Sequence, residues 1–448
     1  MSAKEEFPLT FSLSPAARAA PVIKEGTTSN GVRLIARDNG ASVSAVSKLG
    51  FEVGYVFANS LPTTQYYTYT QMVTVNFAVM SGSRAEGPSE KGAANLLAVS
   101  AFAGTGKRSG LKLMRDLENI GATVGTSVDK EKITYKLTCL PEKAEEAVAA
   151  VCEVLTSPPT AGWVVEESKE TADLVIAAHK ACPQSQVMEL LHEAAYGENS
   201  PMGTPTLSSP ESLTAADVAA FRKANFSGSN VIVSATGVSI DALKTMVELY
   251  LHALPADGSA ARLPGAAGGY VGGDMKVRDS STSSSHLALA FPVPAKGAEA
   301  YGVLHAALTT KIAAMPLPKN ALSAFYLPGA AGGLIGFYAK GGAAAAASAM
   351  EAGVAELKAL ASSGPAGSAD ATKTALAAFS SLESGAAGAG VLLEASARGV
   401  SPVADARKVG SQAVAAAAKA ALAATPSYAV YGVTAGTPSY ASVVKMTK

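Results

Sequence analysis

Residues 92–105 have the spacing of a helix that could hold a metal ion, but their side chains lack the required chemistry. An inverted zinc motif, His-x-x-Glu-His, places two imidazole ligands on one helix face and a water-activating carboxylate between them. In the same frame this chain has Asn95, Ala98 and Val99. Asparagine is a poor zinc ligand, and alanine and valine neither coordinate a metal nor move a proton. We therefore predict that this helix carries no catalytic residue, metal ligand or cofactor site. Taken alone, an Ala- and Leu-rich helix that ends in Gly is also typical of an ordinary core helix.

The histidines and carboxylates that follow do not form a replacement ligand set. His179 and His192 lie on predicted helices, but neither has a carboxylate or a second histidine at i+4. We predict that they are surface or hydrogen-bonded core histidines. A predicted helix at 166–178 carries four acidic residues that favour a solvated face: Glu166, Glu167, Glu170 and Asp173.

Two other kinds of site receive no support. The glycines of 265–273 lack the Lys-Ser/Thr end of a phosphate-binding loop, and no strand-to-helix switch encloses them. Ser100 and Ser209 have no neighbouring His/Asp arrangement, so nucleophilic catalysis is not indicated.

The composition excludes several classes of protein. The chain has 448 residues, too many for one compact core, and its 36 basic residues balance its 36 acidic ones. A nucleic-acid binder would normally show a basic excess. Charged residues make up only 16% of the chain, which suits a globular protein with large buried or interface surfaces. No apolar stretch is long enough to span a membrane. The three cysteines cannot form a closed disulfide framework and are predicted to be buried.

The order of predicted elements repeats along the chain. We predict strands at 31–38, 73–79, 123–128, 133–140 and 230–236, with helices at 92–102, 111–120 and 240–251 and two or three more within 142–196. The helix at 111–120 places Leu111 on its apolar face, together with Met114, Leu117 and Ile120. Thr214 with Asp217 three residues later predicts a capping box for the next helix. After a Pro/Gly/Ala-rich linker, strands at 286–291, 334–338 and 427–433 flank further helices. This recurrence predicts a duplicated α+β domain. The boundaries are an N-terminal extension at 1–25, a first domain at 26–253, a linker at 254–273 and a second domain at 274–448.

Ordered sequence segments resemble the core proteins of the mitochondrial cytochrome bc1 complex, most closely core protein 2. These proteins belong to the pitrilysin-type superfamily, together with the subunits of the mitochondrial processing peptidase. The segments that carry the resemblance span nearly the whole chain in the right order: Gly82-Ser83-Arg84, 117–122, 195–201, 203–205, 270–274 and 333–338. An aromatic-rich segment at 42–72 is longer than the corresponding connection in that family, so we predict an insertion there.

The resemblance implies two homologous α+β domains, each a mostly antiparallel sheet packed with helices. It implies a non-catalytic structural subunit of complex III, peripheral on the matrix side of the inner mitochondrial membrane. The implied partners are a core protein 1 subunit, cytochrome b, cytochrome c1 and the iron–sulfur protein. Two alternatives stay open: a non-catalytic, substrate-binding subunit of a processing peptidase, and an active metallopeptidase. The processing peptidase's α-subunit carries a glycine-rich loop, whereas this chain has no glycine between Val303 and Leu327.

Overall fold

The computed structural model describes most of the chain. The described ranges are 22–38, 72–158, 162–256, 269–295, 297–318, 320–329, 332–363 and 409–448, with short stretches at 389–390, 392–393 and 396–397. The predicted aromatic-rich insertion lies outside them, apart from Met72, and so does most of the predicted linker. Below, the first half means residues up to 256 and the second half means residues from 269 onward.

Eleven strands of the described residues form two mixed sheets. The first sheet has the order β1-β2-β6-β3-β5-β4 and the second has the order β7-β11-β8-β10-β9. The strands are β1 (Val22–Thr27), β2 (Arg33–Asp38), β3 (Val73–Val79), β4 (Thr123–Val128), β5 (Ile133–Cys139), β6 (Val231–Thr236), β7 (Gly273–Arg278), β8 (Ser285–Val293), β9 (Leu322–Leu327), β10 (Gly333–Gly341) and β11 (Ser427–Gly432).

The second sheet repeats the first. The order β2-β6-β3-β5-β4 becomes β7-β11-β8-β10-β9 when each strand is replaced by the one five places later. The pairing senses also agree, because β2–β6 and β7–β11 are parallel and the remaining pairs in both runs are antiparallel. The predicted α+β fold of two homologous, mostly antiparallel domains is confirmed.

Helices cover the sheets. They are α1 (Ala93–Val99), α2 (Gly110–Asn119), α3 (Ala144–Thr156), α4 (Gly162–Lys180), α5 (Pro183–Tyr196), α6 (Ala215–Asn225), α7 (Ile240–Tyr250), α8 (Ala298–Ala313), α9 (Ala343–Ser363), α10 (Ser411–Ala423) and α11 (Tyr440–Thr447). The termini follow local chemistry, since Thr214 and Asp217 form the predicted capping box of α6. Gly121 adopts a φ of +67° just beyond α2, as expected of a helix C-terminus. Among the described residues, no helix combines the length and apolar composition needed to cross a bilayer.

The second sheet is covered on one face by a helix from the first half. Side chains alternate along β8, so Leu287, Leu289 and Phe291 join the core of the second half, while Ala288 and Ala290 face the other way. α5 packs on that alanine face, with the fully buried residues Val187, Leu191 and Ala195 at successive four-residue intervals. The small alanine side chains let the helix approach the sheet closely.

Residues of the second half also contact one face of the first sheet. Val73, Val75 and Phe77 of β3 pack in the core of the first half, whereas Ala78 on the other face contacts Leu393. Two polar contacts join the same surfaces. Ser234 Oγ donates to the carbonyl of Ala389 at 2.8 Å, and Arg33 Nη1 donates to the carbonyl of Ser396 at 3.0 Å. The two halves therefore cover each other's sheets.

Several details differ from the sequence-based prediction. β1, β7 and β9 were not predicted, and each lies at a sheet edge. Charged residues interrupt the hydrophobic pattern of β1 and β7. β1 begins at Val22, inside the predicted extension, and β7 begins at Gly273, the last residue of the predicted linker. Leu111 was assigned to the buried face of α2 but is 72% exposed, because Leu113 and Leu117 set that face and the first turn extends beyond the core.

Replacing Leu191 with alanine should destabilise the whole chain, because it opens a cavity between α5 and the second sheet. The expected loss is about 2–5 kcal/mol of unfolding free energy, measured by urea denaturation. Leu249→Ala is the matched control, since Leu249 is 55% exposed on α7. Equal losses in the two variants would contradict the packing of α5 on the second sheet.

Candidate functional site

The helix α1 carries the three residues in the frame of the inverted zinc motif. It begins after Gly92, which has a φ of +91° and lies so close to Ser208 that an added Cβ would sit 2.8 Å from that carbonyl oxygen. Glu86 accepts the backbone N–H groups of Gly92 and Ala94, both at 2.9 Å. A carboxylate in this position complements the partial positive charge of the helix N-terminus. The start of α1 is therefore fixed by close packing and by the half-buried carboxyl group of Glu86.

Asn95, Ala98 and Val99 are packing residues in the fold. Asn95 is 2% exposed and Ala98 is 4% exposed, and Val99 packs against the core of the first half. The Nδ2 of Asn95 is buried and has no hydrogen-bond partner among the described residues. Across the described residues, no group of three or more His, Cys, Asp or Glu side chains is arranged to hold a metal ion. These residues do not fit a zinc ion.

The acidic residues of α4 do not turn towards α1. Glu166, Glu167, Glu170 and Asp173 are all exposed, in agreement with the predicted solvated face. The buried face of α4 carries small and apolar residues instead: Val164, Ser168, Ala172 and Ile176.

The Gly-Ser-Arg segment positions the turn between β4 and β5. A Cβ on Gly82 would lie 2.1 Å from the carbonyl oxygen of Asp129, so only glycine fits there. The Arg84 backbone N–H donates to the carbonyl of Lys130 at 2.8 Å, and its guanidinium pairs with Glu131 at 2.8 Å. This segment therefore holds the hairpin turn in place.

That hairpin turn lines a cavity of about 520 Å³ between the two halves. α5 forms one wall and the β9–β10 loop of the second half forms another. The lining mixes charged and apolar groups: Lys130, Glu189, His179, His192, Met188, Met202 and Leu334 are among them.

A buried ion pair joins two of the elements that line the cavity. Lys130, in the hairpin turn, donates from Nζ to Glu189 of α5 at 2.9 Å and to the carbonyl of Thr204 at 2.6 Å. Burial lowers the pKa of Lys130, partly offset by the charge of Glu189. Burial alone would raise the pKa of Glu189, but its neighbours His179 and Lys130 bring it well below the usual range. Glu189 is therefore ionised at neutral pH.

The two histidines of this region act within the same network. His179 Nε2 lies 3.6 Å from Glu189 Oε1, whose residue is ten positions further along the chain and therefore beyond the i+4 position. His192 Nδ1 donates to the carbonyl of Met188 at 2.9 Å, in line with the prediction of a hydrogen-bonded histidine. Burial, together with the charge of Lys130, lowers the pKa of His192 to about 4, so its ring is neutral.

One cysteine departs from the prediction. Cys139 and Cys152 are buried as predicted, but Cys182 is exposed. It occupies the position before Pro183 at the start of α5, where the chain turns at the cavity mouth rather than entering a core.

Comparison with known proteins identifies the family of this chain. The profile described as insulinase (peptidase family M16) matches residues 63–208, and the profile described as peptidase M16 inactive domain matches residues 212–310. Together they cover more than half of the chain. The chain belongs to the pitrilysin-like M16 superfamily. The repeated sheets are consistent with the paired domains of this superfamily.

Individual M16 relatives carry different roles. The chain is 27% identical over 240 residues to mitochondrial-processing peptidase subunit alpha of Solanum tuberosum, covering 53% of this chain and 46% of the relative. It is 29% identical over 235 residues to a probable subunit beta of Schizosaccharomyces pombe, covering 51% of each. It is 25% identical over 327 residues to cytochrome b-c1 complex subunit 2 of Homo sapiens, covering 68% of this chain and 70% of the relative. The chain thus spans about half the length of the processing-peptidase relatives.

Glu86 should make stability depend on pH. Burial raises the pKa of Glu86 from a reference value of 4.5 to about 7. The two backbone hydrogen bonds lower the pKa, and the charges of Glu90 and Lys91 have smaller effects that raise and lower it, respectively. The folded state therefore binds this proton more tightly than the unfolded state does. Proton binding stabilises the fold at low pH, and this stabilisation is lost as the pH rises from about 4.5 to about 7. Glu86→Gln should show a smaller loss of unfolding free energy between about pH 5 and about pH 7.5 than the unchanged chain. An unchanged pH dependence in urea denaturation would contradict this role.

Lys130→Met should destabilise the chain by about 3–5 kcal/mol, because Glu189 is left charged and largely buried without its partner. The double variant Lys130→Met/Glu189→Gln should recover part of that loss. Lys143→Met is the control: its pair with Glu146 has a similar distance, 2.7 Å, but is solvent-exposed. Its loss should stay below about 1 kcal/mol. A loss at Lys130 no larger than at Lys143, in urea denaturation, would show that the buried pair is not holding α5 to the hairpin turn.

Proposed function

We propose that this chain is a non-catalytic structural subunit of the mitochondrial cytochrome bc1 complex. In this role it supports the assembly and stability of ubiquinol-to-cytochrome c electron transfer and holds no haem, quinone or metal of its own. It is peripheral on the matrix side of the inner membrane. It pairs with a core protein 1 subunit and contacts the assembly of cytochrome b, cytochrome c1 and the iron–sulfur protein.

The observation that carries this proposal is the side-chain chemistry of α1. Asn95, Ala98 and Val99 occupy the i, i+3 and i+4 positions at which an inverted zinc motif needs two imidazoles and a carboxylate. Two of the three are almost fully buried, so they serve the core and offer no surface for a substrate. A peptidase of this kind polarises the scissile carbonyl and generates its nucleophile on the metal, and these residues supply neither function.

The extent of similarity supports the bc1 assignment over its alternative. The match to the human bc1 subunit 2 runs through about two thirds of both chains, whereas the matches to processing-peptidase subunits cover about half. The low charged fraction, 16%, also fits a subunit that buries much of its surface against partners.

The alternative is a non-catalytic, substrate-binding subunit of a processing peptidase. The slightly higher identities to those subunits favour it, at 27% and 29% against 25%. The segment between Val303 and Leu327 weighs against an α-subunit role, because it contains no glycine.

A native-gel separation of mitochondrial membranes distinguishes the two roles. We expect mass spectrometry to find this chain in the band that carries haem, at a constant ratio to the cytochrome subunits. A processing-peptidase role would instead place it in a haem-free fraction that cleaves presequence peptides. Finding the chain only as a free monomer would contradict both.

A further inference from the structure

The helix α4 presents a line of side chains to solvent. Trp163 and Leu174 are each 67% exposed, and eleven residues of α-helix place them about 16 Å apart on the same side. Glu167 and Glu170 lie between them on that face, four and seven residues after the tryptophan. We call these four residues the α4 stripe. The buried residues of the helix occupy the opposite face, so the stripe points directly away from the core.

The apolar ends of the α4 stripe are unusual for a surface. Trp163 is the sole tryptophan of the chain, and most of its ring area faces water. A single exposed apolar residue needs no explanation, but here an exposed tryptophan and an exposed leucine share one face of the same helix. Tryptophan is also enriched among the few residues that dominate binding energy at protein interfaces.

The charges of the α4 stripe define the chemistry of its partner. Lys169 forms an ion pair with Glu166, with 2.9 Å between Nζ and Oε2. Within the described part of the chain, Glu167 and Glu170 have no cation within ion-pair distance. Two carboxylates between two apolar groups complement lysine or arginine side chains that are themselves flanked by apolar groups. An anionic membrane surface or a nucleic acid would be repelled by the same carboxylates.

We propose that the α4 stripe is the docking surface for a partner protein that presents basic side chains between apolar ones. This proposal rests on the proposed function, because it assigns a contact face to a subunit of a larger assembly. Trp163 and Leu174 supply the buried area of the contact, and Glu167 and Glu170 select the partner by charge.

Hydroxyl-radical footprinting with mass spectrometry tests the proposal without altering the chain. The side chains of Trp163 and Leu174 should be oxidised severalfold more slowly in the purified native assembly than in the free chain. Leu249, exposed on α7, is the internal control and should react equally in both. Equal oxidation of Trp163 in the assembly and in the free chain would overturn the proposal. If the chain nevertheless co-migrates with haem, the docking surface fails and the bc1 role stands.

Variants test the charge selection. Trp163→Ala should weaken association by about 30-fold or more, the effect expected of an interface hot spot. The double variant Glu167→Lys/Glu170→Lys should dissociate from its assembly at a lower salt concentration than the unchanged chain. Glu118→Lys, at an exposed position of α2, should not. Circular dichroism of each free variant verifies that the fold is retained. Identical salt sensitivity of the charge-reversed variant and the Glu118 control would refute a basic partner surface.

Discussion

The structure depends on the mutual covering of two sheets. Each sheet packs one face against helices of its own half, and the other face against residues from the opposite half. α5 covers the alanine face of the second sheet, and Leu393 with its neighbours contacts the first. Burial on both faces is visible along β3, where all seven residues are buried, and along β8, where eight of nine are buried. Neither sheet is covered on both faces without the other half.

The polar features of the interior follow from that arrangement. Bringing α5 onto the second sheet also brings Glu189 against the hairpin turn of the first, where Lys130 neutralises it. The Gly-Ser-Arg segment then has a structural role, since it holds the turn that presents this lysine. α1 lies in the core of the first half, and its motif positions have become part of that packing. We propose that the architecture of the superfamily is kept in this chain while the motif positions of α1 serve packing.

Strongly patterned elements were predictable from the sequence, and long-range contacts were not. β3 was predicted with its observed bounds because Val73–Val79 is rich in β-branched residues, and the capping box of α6 is a local signal. β1 and β7 were missed because these edge strands contain charged residues that interrupt the hydrophobic pattern. The pair of Lys130 with Glu189 joins residues far apart in sequence, so no local spacing indicates it. The aromatic-rich insertion lies outside the described residues and stays a prediction.

The central claim is that this chain has the fold of an M16 peptidase without its metal chemistry. The most direct test is the zinc content of the purified chain after equilibration with zinc and removal of the free ion, together with an assay of presequence cleavage. We expect far less zinc than one ion per chain and no cleavage that a chelator abolishes. Stoichiometric zinc, lost on chelation together with proteolytic activity, would contradict it.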